Sequence, residues 1–142
     1  MSEDNKAVVR RMFDEVLSGG DLAAVDELFT AGYHDHDPAN DEDVRGPDGV
    51  KEEIGGYRAA MPDLRFTIED QLAEGDRVAT RFSCTATHQG ELLGAAATGN
   101  PVSLSGIVIH RLADGRVDEG HWNWDTLGLL QQIGAIPVEQ VA

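Results

Sequence analysis

The stretch DLRFTIEDQLAEGDRVATRFSCTATH, residues 63–88, decides the fold, because the spacing of apolar residues changes within it. From Leu64 to Ile68 apolar residues alternate with polar ones, which is typical of a half-buried β-strand. The tripeptide EGD at 74–76 predicts a turn, and alternation resumes over Arg77 to His88 with Phe82 on its apolar side. Residues 63–88 therefore predict two antiparallel strands joined by a tight turn.

Upstream of this stretch the apolar residues recur at helical spacing. One amphipathic helix is predicted over Asn5 to Leu17, and a short second helix follows a capping Asp21. A third helix begins at Pro47 and ends at the Met61-Pro62 bond, with Tyr57 on its inward face. The first 61 residues are thus predicted to carry three helices.

Downstream, two more strands are predicted after a loop rich in Gly and Ala. They cover Val102 to Leu112 and Arg116 to Asp125, and Asp114-Gly115 is a hairpin signal between them. Helices followed by an antiparallel meander predict an α+β fold, with a curved antiparallel sheet wrapped around N-terminal helices. At 142 residues the chain is expected to form a single domain over 1–142.

The last strand is predicted to present two different faces. Alternation places His121 and Asn123 on the inward face, where they would add polar contacts to an apolar pocket. Trp122 and Trp124 then lie outward, where exposed indoles favour an interface, so a homodimer through the outer sheet face is expected. Simple hairpin pairing puts His110 opposite Glu119, and a β-bulge would change that register.

The charge of the chain excludes several classes of partner. Its 26 acidic and 11 basic residues give a net charge of −15, which disfavours nucleic acid and anionic membranes. Such a surface indicates strong solvation or a cell with a salty interior, and in the second case stability should rise with KCl. The charged N-terminus lacks the apolar core of a signal peptide, and the single Cys84 forms no internal disulfide, so a cytoplasmic protein is expected.

Asp125 follows the two tryptophans and precedes the leucine-rich segment TLGLLQQ. It has two interpretations. It caps a helix that begins at Thr126, or it is a carboxylate at the mouth of an apolar pocket, partly desolvated and able to exchange a proton near neutrality. Both roles are compatible if one oxygen caps the helix.

The segment YHDHDP, residues 33–38, invites a metal hypothesis because His34 and His36 share a face of an extended chain. A zinc or iron centre generally needs a third protein ligand, and no other histidine has a helpful spacing. The alternatives are a substrate-facing His36 and a solvated turn before proline. We predict no metal and no cofactor.

Taken in order, the segments SGGDLAAVDELF, YHDHDP, RGPDGVKEEI, the meander from residue 61 and DTLGLLQQIG resemble the SnoaL-like polyketide cyclase family, within the nuclear transport factor 2-like superfamily. The resemblance covers nearly the whole chain. It implies a cone-shaped, cystatin-like α+β barrel with an apolar pocket between sheet and helices, often as a homodimer.

The resemblance also implies an activity, an intramolecular aldol condensation without metal or cofactor on a small carbonyl-bearing molecule. Asp125 would be the acid/base, with His110 and His36 in support; His121, Asn123, Phe82 and Tyr57 are the substrate-binding candidates. The alternatives are an isomerase, dehydratase or epoxide hydrolase, or a binding domain without chemistry. For His110 the choice is between an oxyanion donor and a histidine paired with Glu119.

Overall fold

The computed structural model describes residues 2–137, in which the helices precede and follow the main run of strands. The helices are α1 (Ser2–Arg11), which continues as a π-helical segment (Met12–Ser18), α2 (Ala23–Leu28), α3 (Gly46–Ala60) and α4 (Thr126–Gln132). The three predicted N-terminal helices are confirmed. Asp21 accepts a hydrogen bond from the Ala24 N–H at 3.2 Å, as expected of the residue that caps α2.

Six strands form one open sheet. They are β1 (Phe29–His36), β2 (Val44–Arg45), β3 (Arg65–Glu74), β4 (Arg77–Thr87), β5 (Pro101–Ala113) and β6 (Arg116–Trp124), in the spatial order β2-β1-β6-β5-β4-β3. The predicted antiparallel meander β3 to β6 and the α+β class are confirmed. The sheet is not wholly antiparallel, because β1 pairs with β6 in parallel, and it does not close, because β2 and β3 remain its edges.

A hydrophobic core fills the space between the helices and the inner face of the sheet. Phe13 of the π-helical segment lies at its centre, with its ring centroid 5.7 Å from that of Phe66, 5.6 Å from Phe82 and 6.1 Å from Trp122. Edge-on and tilted contacts of this kind stabilise aromatic clusters beyond their area burial. These contacts fix the π-helical segment against β3, β4 and β6.

A β-bulge in β6 corrects the predicted faces of that strand. Next to the hairpin turn Leu112 pairs with Val117, as simple counting predicts, but Arg111 then pairs with Glu119, so Asp118 is an extra residue. Asp118 is held by Arg111 and by Thr30 at 2.8 and 2.7 Å. One extra residue reverses the alternation that follows it.

The consequences of the bulge are direct. His110 pairs with Gly120, not with Glu119. Trp122 and Trp124 face the interior, whereas His121 and Asn123 are exposed. The predicted inward orientation of His121 and Asn123 is wrong for this reason.

The homodimer was expected because Trp122 and Trp124 were predicted to be exposed, and that reason no longer holds. The described outer face nevertheless exposes two large apolar side chains, Ile107 and Ile109 of β5. The dimer stays a prediction. Among residues 2–137 no helix combines the length and apolar character needed to cross a membrane.

Candidate active site

An apolar cavity lies between the inner face of the sheet and the helices, and it encloses about 710 Å³ including its solvent-filled mouth. Its wall is mostly aromatic and aliphatic, with carboxylates at one end. The lining residues are Leu17, Asp35, Asp37, Glu53, Ile54, Tyr57, Met61, Leu64, Phe66, Phe82, Cys84, Leu104, Trp122, Trp124 and Leu129. Small-molecule sites usually combine such an apolar wall with few polar groups.

Asp35 is the most buried of these carboxylates, with 5% of its surface exposed. Strand alternation along β1 turns Tyr33 and Asp35 inward and leaves His34 and His36 on the outer face. Burial, then the negative charges of Glu53 and Asp37, raise the pKa of Asp35 to about 7, and the nearby Tyr33 and Trp122 donors oppose this shift only in part. A carboxyl group with this pKa can both accept and return a proton at neutral pH.

Two further carboxylates complete an acid cluster, which we define as Asp35, Asp37 and Glu53. Glu53 reaches the cavity from α3, and burial raises its pKa. It accepts a hydrogen bond from the Asn40 side chain at 2.9 Å. Asp37 accepts one from Trp124 Nε1 at 2.8 Å, so the cluster joins β1, α3 and β6 at one end of the cavity.

The lack of a side chain at Gly120 lets three neighbouring side chains pack close to its backbone at this end of the cavity. A Cβ atom there would lie 2.8 Å from Tyr33 Oη, 3.0 Å from Asp35 Oδ1 and 3.1 Å from His110 Cδ2. Beside it, Asp35 Oδ1 and Trp122 Nε1 are buried, and neither has a hydrogen-bond partner of good geometry within residues 2–137. The Asp35 acceptor and the Trp122 donor therefore influence each other at this end of the cavity without being held in a well-formed hydrogen bond.

Asp125 lies outside the described cavity wall. Its carboxylate accepts the Gly128 N–H at 2.8 Å and caps α4, and the side chain is exposed. The capping interpretation is confirmed. A catalytic role for Asp125 stays a prediction. The partial desolvation that supported it is absent, because the side chain is exposed.

His110 is fully buried on β5 and does not line the cavity. Its ring meets Trp122 edge-on at 5.5 Å, and neither ring nitrogen has a partner within the described residues. Burial lowers its pKa to about 3, so it is neutral at physiological pH. The predicted pairing with Glu119 is wrong because Glu119 lies on the opposite face.

His36 lies on the outer face, where its Nε2 is 2.9 Å from Glu119 Oε2 and its ring stacks on His121 at 4.3 Å. A substrate-facing His36 is therefore not what the structure presents. Phe82 and Tyr57 do lie on the cavity wall. Their role in binding substrate stays a prediction.

Sequence reasoning missed Asp35 and Glu53 as site residues. The signal for Asp35 was present, because the alternation that placed His34 and His36 on one face also placed Asp35 on the other. That signal is weak, because the flanking apolar pattern of a strand is absent around YHDHDP. Glu53 carries no local signal, since a glutamate on a helix is ordinarily solvated.

Comparison with known proteins agrees with this architecture. The SnoaL-like polyketide cyclase family matches residues 7–133. The chain is 29% identical over 133 residues to the aklanonic acid methyl ester cyclase DnrD of Streptomyces peucetius, covering 89% of this chain and 88% of the relative.

Two solved structures are similar along nearly the whole chain. One, assigned to the SnoaL-like polyketide cyclases, comes from Jannaschia sp. CCS1, with a TM-score of 0.87, 27% identity and coverage of 96% of this chain and 95% of that one. The other is AclR of Streptomyces galilaeus, assigned as a hydroxylase, with a TM-score of 0.86, 30% identity and coverage of 99% and 87%. The chain belongs to the SnoaL-like polyketide cyclase family.

Proposed function

We propose that this protein closes a ring in a small, carbonyl-bearing, polyketide-like molecule by an intramolecular aldol reaction, with Asp35 as acid and base. The observation that carries the proposal is a buried carboxylate with a pKa of about 7 at the polar end of an apolar cavity. Family membership supports a cyclase function in general.

The chemistry needs one group that first accepts and then donates a proton. The Asp35 carboxylate removes a proton from the carbon next to a carbonyl, and the resulting enolate carbon attacks a second carbonyl of the same molecule. A C–C bond forms, the C=O π bond breaks, and the new alkoxide takes the proton back from Asp35. Atoms and electrons balance without an oxidant or reductant, so the step requires no redox cofactor.

The remaining wall would bind and orient the substrate. Phe66, Phe82 and the two tryptophans offer flat apolar surfaces suited to ring systems. Tyr57 stays protonated because burial raises its pKa, so its hydroxyl can donate to a developing oxyanion. The buried Trp122 Nε1–H, which is not held in a well-formed hydrogen bond, can donate as well, and fixed donors in a water-poor cavity stabilise charge that appears only in the transition state.

The substrate class follows from the cavity and the relatives. Its wall is aromatic and aliphatic with a few carboxylates, a combination that suits a ring-containing molecule with polar substituents. Two curated relatives are named aklanonic acid methyl ester cyclases. We therefore favour a methyl ester of an aromatic polyketide, with its ketones near the acid cluster.

The test is to incubate the purified protein, without a metal-affinity tag, with aklanonic acid methyl ester. We expect a ring-closed isomer of unchanged mass that has lost one ketone carbon signal in the ¹³C spectrum. Cys84→Phe is the matched control, because it places a larger side chain in the cavity wall and leaves the acid cluster unchanged. It should lower the affinity for substrate more than it lowers the rate of ring closure. A product that has gained an oxygen, or binding without conversion, would contradict the proposal in favour of a hydroxylase or a binding domain.

The resemblance favours a different acid/base, Asp125, assisted by His110 and His36. These roles remain a competing proposal for the same reaction. They can be separated from ours, because Asp125 is exposed and Asp35 is buried. Under our proposal Asp125→Asn keeps most of the turnover.

A further inference from the structure

A histidine-rich cluster lies on the outer face of the sheet, behind the acid cluster. His34 and His36 alternate with Asp35 along β1, and β2 pairs antiparallel with β1 so that His34 lies opposite Arg45. Extending this register by two residues brings Asp43 opposite His36. Three side chains that are separated in sequence therefore meet on one surface.

The atoms that could act as ligands already point toward one another. His34 Nε2 lies 2.7 Å from Asp43 Oδ2, and His36 Nδ1 lies 3.5 Å from the same oxygen. All three ligand atoms fall within 4.8 Å of one another. The side chains are 26%, 31% and 40% exposed, so small rotations can place each atom at the roughly 2.0–2.2 Å that zinc requires.

A second layer of contacts supports His36. Its Nε2 is 2.9 Å from Glu119 Oε2, and Glu119 Oε1 is 3.1 Å from Arg111 Nη1. A carboxylate that accepts from the far nitrogen of a histidine fixes its tautomer and orientation and increases its basicity as a ligand. This contact frees Nδ1 of His36 to face Asp43.

The sequence predicted no metal here because a third protein ligand was lacking, and the structure brings Asp43 to that position. We propose that His34 Nε2, His36 Nδ1 and Asp43 Oδ2 bind one Zn²⁺ ion, with solvent in the fourth position. Two imidazoles and one carboxylate form a donor set that zinc accepts in tetrahedral geometry. Arg45 opposes the ion locally, whereas the net charge of −15 favours a cation overall. The site is separate from the cavity, since the histidines and Asp35 lie on opposite faces of β1.

The ion would link the end of β1 to the residue before β2. Asp43 precedes β2, and the segment 37–43 carries Asp37 into the cavity from β1. Zinc bound to Asp43 and to both histidines therefore joins the two ends of that segment. Binding to the folded state alone raises thermal stability, which gives a readout independent of activity.

The experiment is calorimetric titration of ZnCl₂ into the full-length protein, purified without a metal-affinity tag and treated with chelator. We expect one ion per chain and a rise in Tm with zinc. His34→Gln and Asp43→Asn should each weaken binding at least tenfold and abolish the rise in Tm. Glu119→Gln should weaken it by about 10–100-fold, as changes of such supporting carboxylates do.

His121→Gln is the matched control, because His121 stacks on His36 but is not in the proposed ligand set. It should bind zinc within about threefold of wild type. A neighbouring group, His36, Glu119 and His121, also lies within ligand distance. If His121→Gln abolishes binding and Asp43→Asn does not, or if wild type binds no zinc, the proposal is overturned.

Discussion

Replacing Asp35 with Asn should stabilise the folded protein at alkaline pH and change little near pH 4. Burial and the neighbouring carboxylates raise the pKa of Asp35 from 3.8 to about 7. A tenfold change in proton affinity corresponds to about 1.4 kcal/mol, so ionised Asp35 costs the folded state on the order of 4 kcal/mol at pH 8. Asn has nearly the same shape and no charge to bury.

The direction in which stability changes with pH follows from the number of protons that the folded and unfolded states bind. Between about pH 4 and 7 folded Asp35 holds a proton that the unfolded chain has released, so its contribution to stability falls as pH rises and is constant above 7. His110 acts oppositely, because its folded pKa of about 3 lies below its usual 6.5. Its contribution rises with pH between those values, but it is common to both proteins and cancels in their difference.

The assay is urea unfolding of wild type and Asp35→Asn between about pH 4 and 8 at constant high salt. The stability advantage of the variant should grow from near zero to several kcal/mol. Asp125→Asn is the control, since Asn also caps helices and Asp125 is exposed, and it should show no comparable gain in stability at pH 8. An Asp35→Asn variant that is less stable at pH 8, or a difference independent of pH, would refute the reasoning.

Three further outcomes are expected. Gly120→Ala should lower the unfolding free energy by about 1–3 kcal/mol through overpacking, because its methyl group would lie 2.8 Å from Tyr33 Oη; an unchanged urea midpoint would contradict that crowding. Asp125→Ala should cost about 1 kcal/mol by loss of the cap, and no loss would contradict the Gly128 hydrogen bond. Raising KCl should increase Tm, because salt screens a net charge of −15; a flat or falling curve would contradict the repulsion.

Most of the fold could be predicted because its elements follow local patterns. The helical spacing before Met61 and the alternation after Leu64 locate the three helices and the meander. β1 could not be found this way, because its C-terminal residues His34 to His36 are polar and because its pairing with β6 joins segments that are distant in sequence. The bulge at Asp118 is also invisible in sequence, because it depends on contacts from Thr30 and Arg111.

The candidate site was predicted less well for the same reasons. Phe82 and Tyr57 were placed on the inner side because each belongs to a regular apolar pattern. The orientations of His121 and Asn123 were wrong because one bulge reverses every later residue in the strand. For Asp35, strand alternation gives the face but not the burial, which depends on packing against α3 and β6.

The central claim is that Asp35 performs the proton transfers, and single-turnover kinetics with aklanonic acid methyl ester test it most directly. Loss of a general acid/base typically lowers the rate by about 10²–10⁴-fold. We predict a loss of that size for Asp35→Asn and less than about tenfold for Asp125→Asn, with a wild-type inflection near pH 7. Near-normal ring closure by Asp35→Asn, together with loss of activity in Asp125→Asn, would contradict the account.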